Sequence, residues 1–359
     1  MPIPDTMLAA VIGEPGIIGT KTLPVPRPGP DDVLVRVHRA SLCGTDLKIR
    51  SRRFFGGAGP APDTFVPGHE YAGVVAAVGS AVDEFAVGDR VVTEAHRGCM
   101  RCVNCLSGAY TDCLNYGNQA KGHRVQGMTV NGGFAEYVVN HVSTLHRLPA
   151  YIDFDSAVVL TTAGTVMHAF DVLGSLLVGA EVAVIGPGPI GLLAVQVARE
   201  LGADLVTLVG TRPDRLEIGK QFGADHLFNV REEDAVAAVR DITGGLGADI
   251  VIECSGATSA VDDAIHMAKR SGKVVLAGFF EQPVSVDLNH AVMNGISIQT
   301  VRGEGTGSVA RALSLASHGR LQTANLVTHH FALEGIGEAF DTYAERRDNA
   351  IKVMLDVAE

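Results

Sequence analysis

Residues 182 to 198 read VAVIGPGPIGLLAVQVA. The run is uncharged but shorter than the ~20 residues that cross a bilayer, and Gly186, Pro187, Gly188, Pro189 and Gly191 interrupt its middle. It is a strand, a turn and a helix: Glu181 to Ile185, then the turn, then Ile190 to Leu201. The turn Gly186-Pro187-Gly188-Pro189-Ile190-Gly191 fits G-x-G-x-x-G. Its glycines permit a tight bend, close approach of backbone to a pyrophosphate and close packing of helix on strand, with the anion at the helix N-terminus. The expectation is a dinucleotide site; a purely structural glycine turn is the alternative.

The texture around this turn repeats. Leu205 to Val209 and Arg215 to Phe222, then Ile250 to Glu253 and Ala260 to Lys269, then Lys273 to Ala277, alternate apolar strands with amphipathic helices. That alternation predicts βαβ units and a parallel sheet, a doubly wound α/β domain over about 156–301. An acidic residue at the end of the second strand would hold the adenosine ribose of NAD. This chain has Gly210-Thr211-Arg212-Pro213 there, with Arg215 one turn on. A small residue, a hydroxyl and guanidinium groups suit a 2′-phosphate, so NADP is the favoured cofactor. If Arg212 is only a solvated helix-start residue, NAD serves as well.

Upstream, Val33 to Val37, Tyr71 to Val78, Arg90 to Thr93 and Phe134 to Val139 are short Val-rich bursts separated by turns such as Gly88-Asp89. Pro24, Pro26, Pro28 and Pro30 break any early helix. Residues 1–155 therefore read as a mostly β domain. Leu326 to Phe331, a helix near Ile336 to Arg346 and a strand Lys352 to Asp356 read as a return to it, so 302–359 completes the first domain.

With 359 residues, 47% of them hydrophobic, the chain has ample material for two cores. A formal charge of −11 leaves no general basic face for nucleic acid. Met1 to Gly13 lacks a basic n-region, and its apolar run, Met7 to Ile12, is short, which points to a cytoplasmic protein with no membrane partner.

Four of the six cysteines fall within fifteen residues: Cys99, Cys102, Cys105 and Cys113. In a cytoplasmic chain that spacing indicates metal rather than disulfides. Four thiolates make a closed tetrahedral zinc site that stabilises a loop and leaves no position open for chemistry. A second set of ligand types is more dispersed. In Gly68-His69-Glu70-Tyr71-Ala72-Gly73, His69 lies twenty-six positions after Cys43, and thiolate, imidazole and carboxylate could meet at a metal with a free coordination position.

Taken together, Cys43-Gly44-Thr45-Asp46, the run Gly68-His69-Glu70-x2-Gly73-x5-Gly79-x2-Val82, the four-cysteine lobe, Gly132-Gly133-Phe134-Ala135-Glu136-Tyr137 and the glycine turn resemble the zinc-containing alcohol dehydrogenases of the medium-chain dehydrogenase/reductase superfamily. The texture is most similar to the threonine, sorbitol and polyol dehydrogenase branch, and the resemblance covers nearly the whole chain. It implies a GroES-like, mostly β catalytic domain and a Rossmann domain. It also implies that Cys43 and His69 bind a catalytic zinc with Glu70 as ligand or close neighbour, and that Thr45 bonds the substrate oxygen and passes its proton outward. Asp46 would orient the His69 ring. His96 matches a histidine near the active site of threonine-dehydrogenase-like members, its alternative being a lobe residue without catalytic role. Cys254 and Ala277 would end strands beside the cofactor, Cys254 as a packing thiol.

Two departures from the family stand out. A relay histidine often found three residues after Thr45 is Lys48 here. The third metal ligand, seven residues before His168, is Thr161, followed by Thr162. Neutral threonine is a poor zinc ligand, so the expected set is Cys43, His69 and Glu70 with a water.

The basic run Lys48-Ile49-Arg50-Ser51-Arg52-Arg53-Phe54-Phe55 is either a solvated turn or a face for an anionic substrate. Phe54, Phe55 and Tyr116 are candidates for the cleft lining. The expected activity is hydride transfer between a secondary alcohol of a polyol, sugar, sugar acid or hydroxy amino acid and a nicotinamide cofactor. The alternatives are a metal-independent quinone or enone reductase of the same superfamily and a non-catalytic, zinc-stabilised NADP-binding homologue. Relatives are commonly dimers or tetramers, and the apolar stretch Val284 to Ile298 is a candidate paired edge.

Overall fold

The structure is a computed structural model describing residues 2–13, 16–51, 64–174 and 177–358. The chain folds into two compact units. The first comprises Met1–Thr162, Gly303–Ser317 and Thr323–Glu359; the second comprises Ala163–Arg302 and His318–Gln322.

The first unit is built on a seven-stranded sheet. Its path runs Val327–Ala332, Lys352–Asp356, Asp32–Ser41, Tyr71–Val78, Arg90–Thr93 and Leu145–Arg147, with Tyr137–His141 also paired to Asp32–Ser41. All pairs are antiparallel except Val327–Ala332 with Lys352–Asp356. The central strand Asp32–Ser41 packs the buried Val33, Val35 and Val37 into one core with Tyr71, Val75, Phe134, Phe340 and Leu355, and Leu34 between them is buried as well. Covering both of its faces explains the near-continuous Val-rich run in place of strict alternation. The apolar run Met7 to Ile12 is not isolated: Thr6–Ile12 pairs with Ile18–Pro24 in a hairpin.

The second unit is a six-stranded parallel sheet in the order His226–Asn229, Leu205–Gly210, Glu181–Ile185, Ala248–Glu253, Ala268–Leu276, Ser297–Thr300. The helices Pro189–Glu200, Pro213–Gln221 and Thr258–Met267 make crossovers where the alternation predicts them, and the strand His226–Asn229 and helix Ala235–Ile242 add a further unit that the sequence reading did not include. Chain order reverses between Glu181–Ile185 and Ala248–Glu253, the switch point where open α/β sheets bind ligands.

Two elements differ from the sequence reading. Phe154–Asp171 is an eighteen-residue helix, invisible to periodicity because it is buried nearly all round and rich in Val and Thr. Val284 to Ile298 is mostly not strand. Asp287 caps a helix Leu288–Asn294, its carboxylate accepting from the His290 amide at 3.0 Å, and Gly295 in a left-handed conformation ends it, so only Ser297–Thr300 lies on the sheet edge. Among the described residues, no helix is long and apolar enough to cross a membrane.

Candidate metal centres and cofactor turn

Cys43 is the N-cap of the helix Gly44–Arg50, and Asp46, three residues on, reaches back so that its Oδ2 accepts the Cys43 amide at 2.9 Å. The other oxygen of Asp46 lies 3.4 Å from His69 Nδ1. One fully buried carboxylate therefore fixes the backbone of Cys43 and faces the ring of His69, leaving Nε2 as the ring nitrogen available to a ligand. Burial alone would lower the His69 pKa, but Asp46 and the Cys43 sulfur raise it well above the ordinary imidazole value.

Gly68 places His69 and Glu70. Its φ is +96°, and a Cβ there would lie 2.4 Å from Phe134 Cδ1, so glycine is required where the Gly132-Gly133-Phe134 segment hydrogen-bonds to residues 66–68. The chain then enters the strand Tyr71–Val78, and the Glu70 carbonyl accepts from the Ser41 amide at 2.9 Å. Ligand atoms of Cys43, His69 and Glu70 all come within 4.8 Å of one another. Thr45 stands beside them, its hydroxyl 4.0 Å from Cys43 Sγ.

Glu70 is held by three residues that no local motif announces. Ser41 Oγ donates to Oε2 at 2.5 Å, Lys352 Nζ pairs with the same oxygen, and Thr162 Oγ1 donates to Oε1 at 2.6 Å. Burial works to raise this carboxyl, yet Lys352 and His69 bring it below the ordinary glutamate value. Lys352 is 1% exposed; a single cation inside the apolar strand Lys352–Asp356 was the signal that could have found it. Thr161 points elsewhere, its hydroxyl donating to the Thr93 carbonyl at 2.8 Å.

His96 is buried in a two-residue strand, its Nδ1 2.6 Å from Glu304 Oε2, while Glu304 Oε1 accepts the Ala95 amide at 3.2 Å. Sequence reading missed Glu304, which is 208 positions away. Of the basic run, Lys48 and Arg50 lie in the helix Gly44–Arg50, and Arg50 pairs with Asp341 at 3.1 Å; Arg52, Arg53, Phe54 and Phe55 fall outside the described residues.

In the lobe, the sulfurs of Cys99, Cys102, Cys105 and Cys113 also converge within 4.8 Å. All four are free thiols, Cys99 to Cys105 at 3.9 Å and Cys102 to Cys113 at 4.0 Å. Donors point at the sulfurs: the Asn115 side-chain amide to Cys99 at 3.1 Å, the Asn115 backbone to Cys113 at 3.3 Å, and the Cys99 backbone to Cys113 at 3.4 Å. Burial raises the Cys99 thiol, but Asn115 and backbone donors bring it down to about 6. Cys105 moves the other way, burial pushing its thiol up to about 12, so it is the convergence of four sulfurs with donors aimed at them that suits a metal.

The glycine turn behaves as its spacing predicts. Gly188 caps the helix Pro189–Glu200, Pro189 occupies its first turn, and a Cβ on Gly191 would lie 1.9 Å from the Gly186 carbonyl. Gly210 ends the second strand, Thr211 is exposed, Arg212 is half-buried as the N-cap of Pro213–Gln221, and Arg215 is buried. At the far side of the switch point Glu253 folds the strand end around its carboxylate: Oε1 accepts the amides of Ser255 at 2.7 Å and Gly256 at 3.0 Å. Cys254, half-buried, and the buried Ala277 flank it, and burial pushes the Cys254 thiol well above its ordinary value.

Comparison with known proteins agrees with this geometry. Residues 29–150 match the alcohol dehydrogenase GroES-like domain and residues 189–318 the zinc-binding dehydrogenase family. The chain belongs to the zinc-containing alcohol dehydrogenases of the medium-chain superfamily. Within that class it is 31% identical to a sorbitol dehydrogenase of Bacillus subtilis over 98% of both chains. It is 35% identical to an L-threonine 3-dehydrogenase of the same organism over 93% of this chain and 94% of that one. The crystal structure of a zinc-binding dehydrogenase from Sinorhizobium meliloti, bound to NADP, superposes with a TM-score of 0.89 at 27% identity, covering 99% of this chain and 100% of that one.

Proposed function

We propose that this protein oxidises a secondary alcohol of a polyol, sugar, sugar acid or hydroxy amino acid, transferring hydride to a nicotinamide cofactor. The observation that carries the proposal is the convergence of Cys43, His69 and Glu70, with Asp46 behind the imidazole. Both departures from that reading, the metal-free reductase and the non-catalytic homologue, leave this converging ligand set without a purpose.

Cys43, His69 and Glu70 would hold the catalytic zinc, and the four lobe cysteines the structural one. When bound, the catalytic zinc supplies Lewis acidity toward the alcohol oxygen. Thr45, beside Cys43, accepts the hydroxyl proton and passes it outward, with Lys48 in place of the usual relay histidine. Asp46 keeps His69 in the tautomer with Nε2 free, and burial of Glu70 and His69 excludes water around the ligands. His96, fixed by Glu304, is assigned to the substrate side. On the cofactor side Gly186, Gly188, Pro189, Ile190 and Gly191 would cradle the pyrophosphate, Cys254 and Ala277 would pack beside the ring, and Gly210, Thr211, Arg212 and Arg215 would receive a 2′-phosphate, favouring NADP over NAD. The division into a catalytic domain, 1–155 with 302–359, and a cofactor domain, 156–301, together with a cytoplasmic homodimer or homotetramer, completes the reading. It is supported by the relatives named sorbitol and threonine dehydrogenase.

The test is cofactor reduction by zinc-loaded protein over polyols, sugars, sugar acids, polyol phosphates and threonine, each with NADP and with NAD. Turnover confined to one class names the substrate; binding of cofactor without turnover of any alcohol refutes the proposal.

A further inference from the structure

The family's usual third ligand is replaced by Thr161, and the hydrogen bonds of the neighbouring residue say how the site compensates. A carboxylate oxygen offers two lone pairs. Glu70 Oε2 has both engaged, by the Ser41 hydroxyl and the Lys352 ammonium. Among the described residues Oε1 accepts from Thr162 Oγ1 alone, at 2.6 Å, which leaves it one lone pair although the residue is 2% exposed. Ser41 and Lys352 come from strands at the heart of the first unit's sheet, which makes Oε2 the anchored end of the carboxylate and Oε1 the end that can serve a ligand.

The two threonines divide the work. Consecutive positions on a helix point about 100° apart, so when Thr161 is turned to the Thr93 carbonyl at 2.8 Å, Thr162 is turned to Glu70. The position that elsewhere supplies a metal ligand is spent on tying helix to strand.

We propose that Thr162 is a positioning residue for the metal: by donating to Glu70 Oε1 it aims the free lone pair of that oxygen at the cation held by Cys43 and His69, so that Glu70 replaces the ligand absent at position 161. This rests on the reading of Cys43, His69 and Glu70 as the catalytic metal site. The Thr162 hydroxyl fixes the torsion of a carboxylate already pinned at its other oxygen, and outer hydrogen bonds of this kind typically carry about 10–100-fold in metal affinity.

The experiment measures metal content and chelator competition for wild type, T162V, T162S and E70Q, with the visible spectrum of the cobalt-exchanged protein as a second readout and the lobe metal as internal control for folding. Expected are two metals per wild-type chain, loss of the exchangeable one in E70Q, a roughly 10–100-fold weaker exchangeable site with an altered cobalt spectrum in T162V, and recovery of both in T162S, with the lobe metal retained throughout. A wild type holding only the lobe metal, or an E70Q that keeps both, refutes the site reading itself. If E70Q loses its metal while T162V binds it as tightly as wild type with an unchanged spectrum, the site stands and the role of Thr162 is wrong.

Discussion

Replacing His96 by leucine tests the pair on which the segment after Gly303 is anchored. Glu304 is 2% exposed, and its carboxylate meets the His96 ring at 2.6 Å and the Ala95 amide at 3.2 Å. Removing a hydrogen-bond partner of a buried carboxylate costs up to about 3 kcal/mol. For a unit of this size about 3 kcal/mol corresponds to a fall in melting temperature of roughly 6–12 °C. The pH dependence has a definite sign. Burial pushes the Glu304 carboxyl up, but the charge and hydrogen bond of His96 hold it below its ordinary value. A lowered carboxyl contributes stability that is fully present above the unfolded pKa, about 4.3, and is lost as pH falls through the folded value. In H96L burial prevails, the carboxyl takes up its proton earlier on acidification, and the penalty shrinks. Scanning calorimetry at pH 7.5 and at about pH 4, just below the unfolded carboxyl value, should find the gap between wild type and H96L wide at the first and narrower at the second. A gap below about 2 °C at pH 7.5, or one that widens at the acid pH, would refute the assignment of a charged, paired Glu304.

Arg212→Ala should weaken NADP relative to NAD by about 10–100-fold, since a charge-assisted hydrogen bond is worth ~1.5–3 kcal/mol; an unchanged ratio of kcat/KM for the two cofactors removes Arg212 from the 2′-phosphate site. Gly191→Ala puts a Cβ 1.9 Å from the Gly186 carbonyl, so the turn must open, and NADPH binding followed by fluorescence should fall at least tenfold, a loss of about 1.4 kcal/mol. Cys113→Ser should lower the zinc content by one equivalent per chain and reduce the melting temperature, while the exchangeable metal at Cys43 and His69 remains; retention of two zincs would mean that Cys113 is not a lobe ligand.

What the sequence made legible was chemistry confined to short stretches. The glycine turn, the four cysteines and the Cys43 to Asp46 segment each carry their reason within a few residues, because tight turns, N-caps and tetrahedral loops are closed locally. The parallel sheet was equally readable, since alternating strands and helices leave few topologies open. What stayed hidden were the partners. Thr162 meets Glu70 across 92 positions, His96 meets Glu304 across 208, and Lys352 meets Glu70 across 282. None of these pairings has a periodicity, and each exists only once the sheet of the first unit is assembled. The helix Phe154–Asp171 was hidden for a related reason: with no exposed face it has no amphipathic stripe to read.

The charges around Glu70 suit the proposed divalent metal even without a ligand at position 161. Asp46, His69, Glu70 and Lys352 are all at most 6% exposed, so their charges must be balanced within the site. A bound metal would require Cys43 as thiolate and His69 as neutral imidazole; in that state the anions are Cys43, Asp46 and Glu70 and the cation is Lys352, which leaves two negative charges in excess. A divalent cation cancels that excess. A further carboxylate at position 161 would add a third negative charge with no counterpart among these groups. The hydroxyl of Thr161 instead satisfies the Thr93 carbonyl without adding charge. The substitution at 161 and the lysine at 352 are thus two parts of one balance: Lys352 neutralises the Asp46 that orients His69, or equally the Glu70 that it touches, and the metal answers the remaining pair. Lys352→Met, which removes the cation and preserves the bulk, should therefore leave the metal more firmly held at low ionic strength while destabilising the metal-free protein, and a chelator titration that finds the site weakened would sink this account.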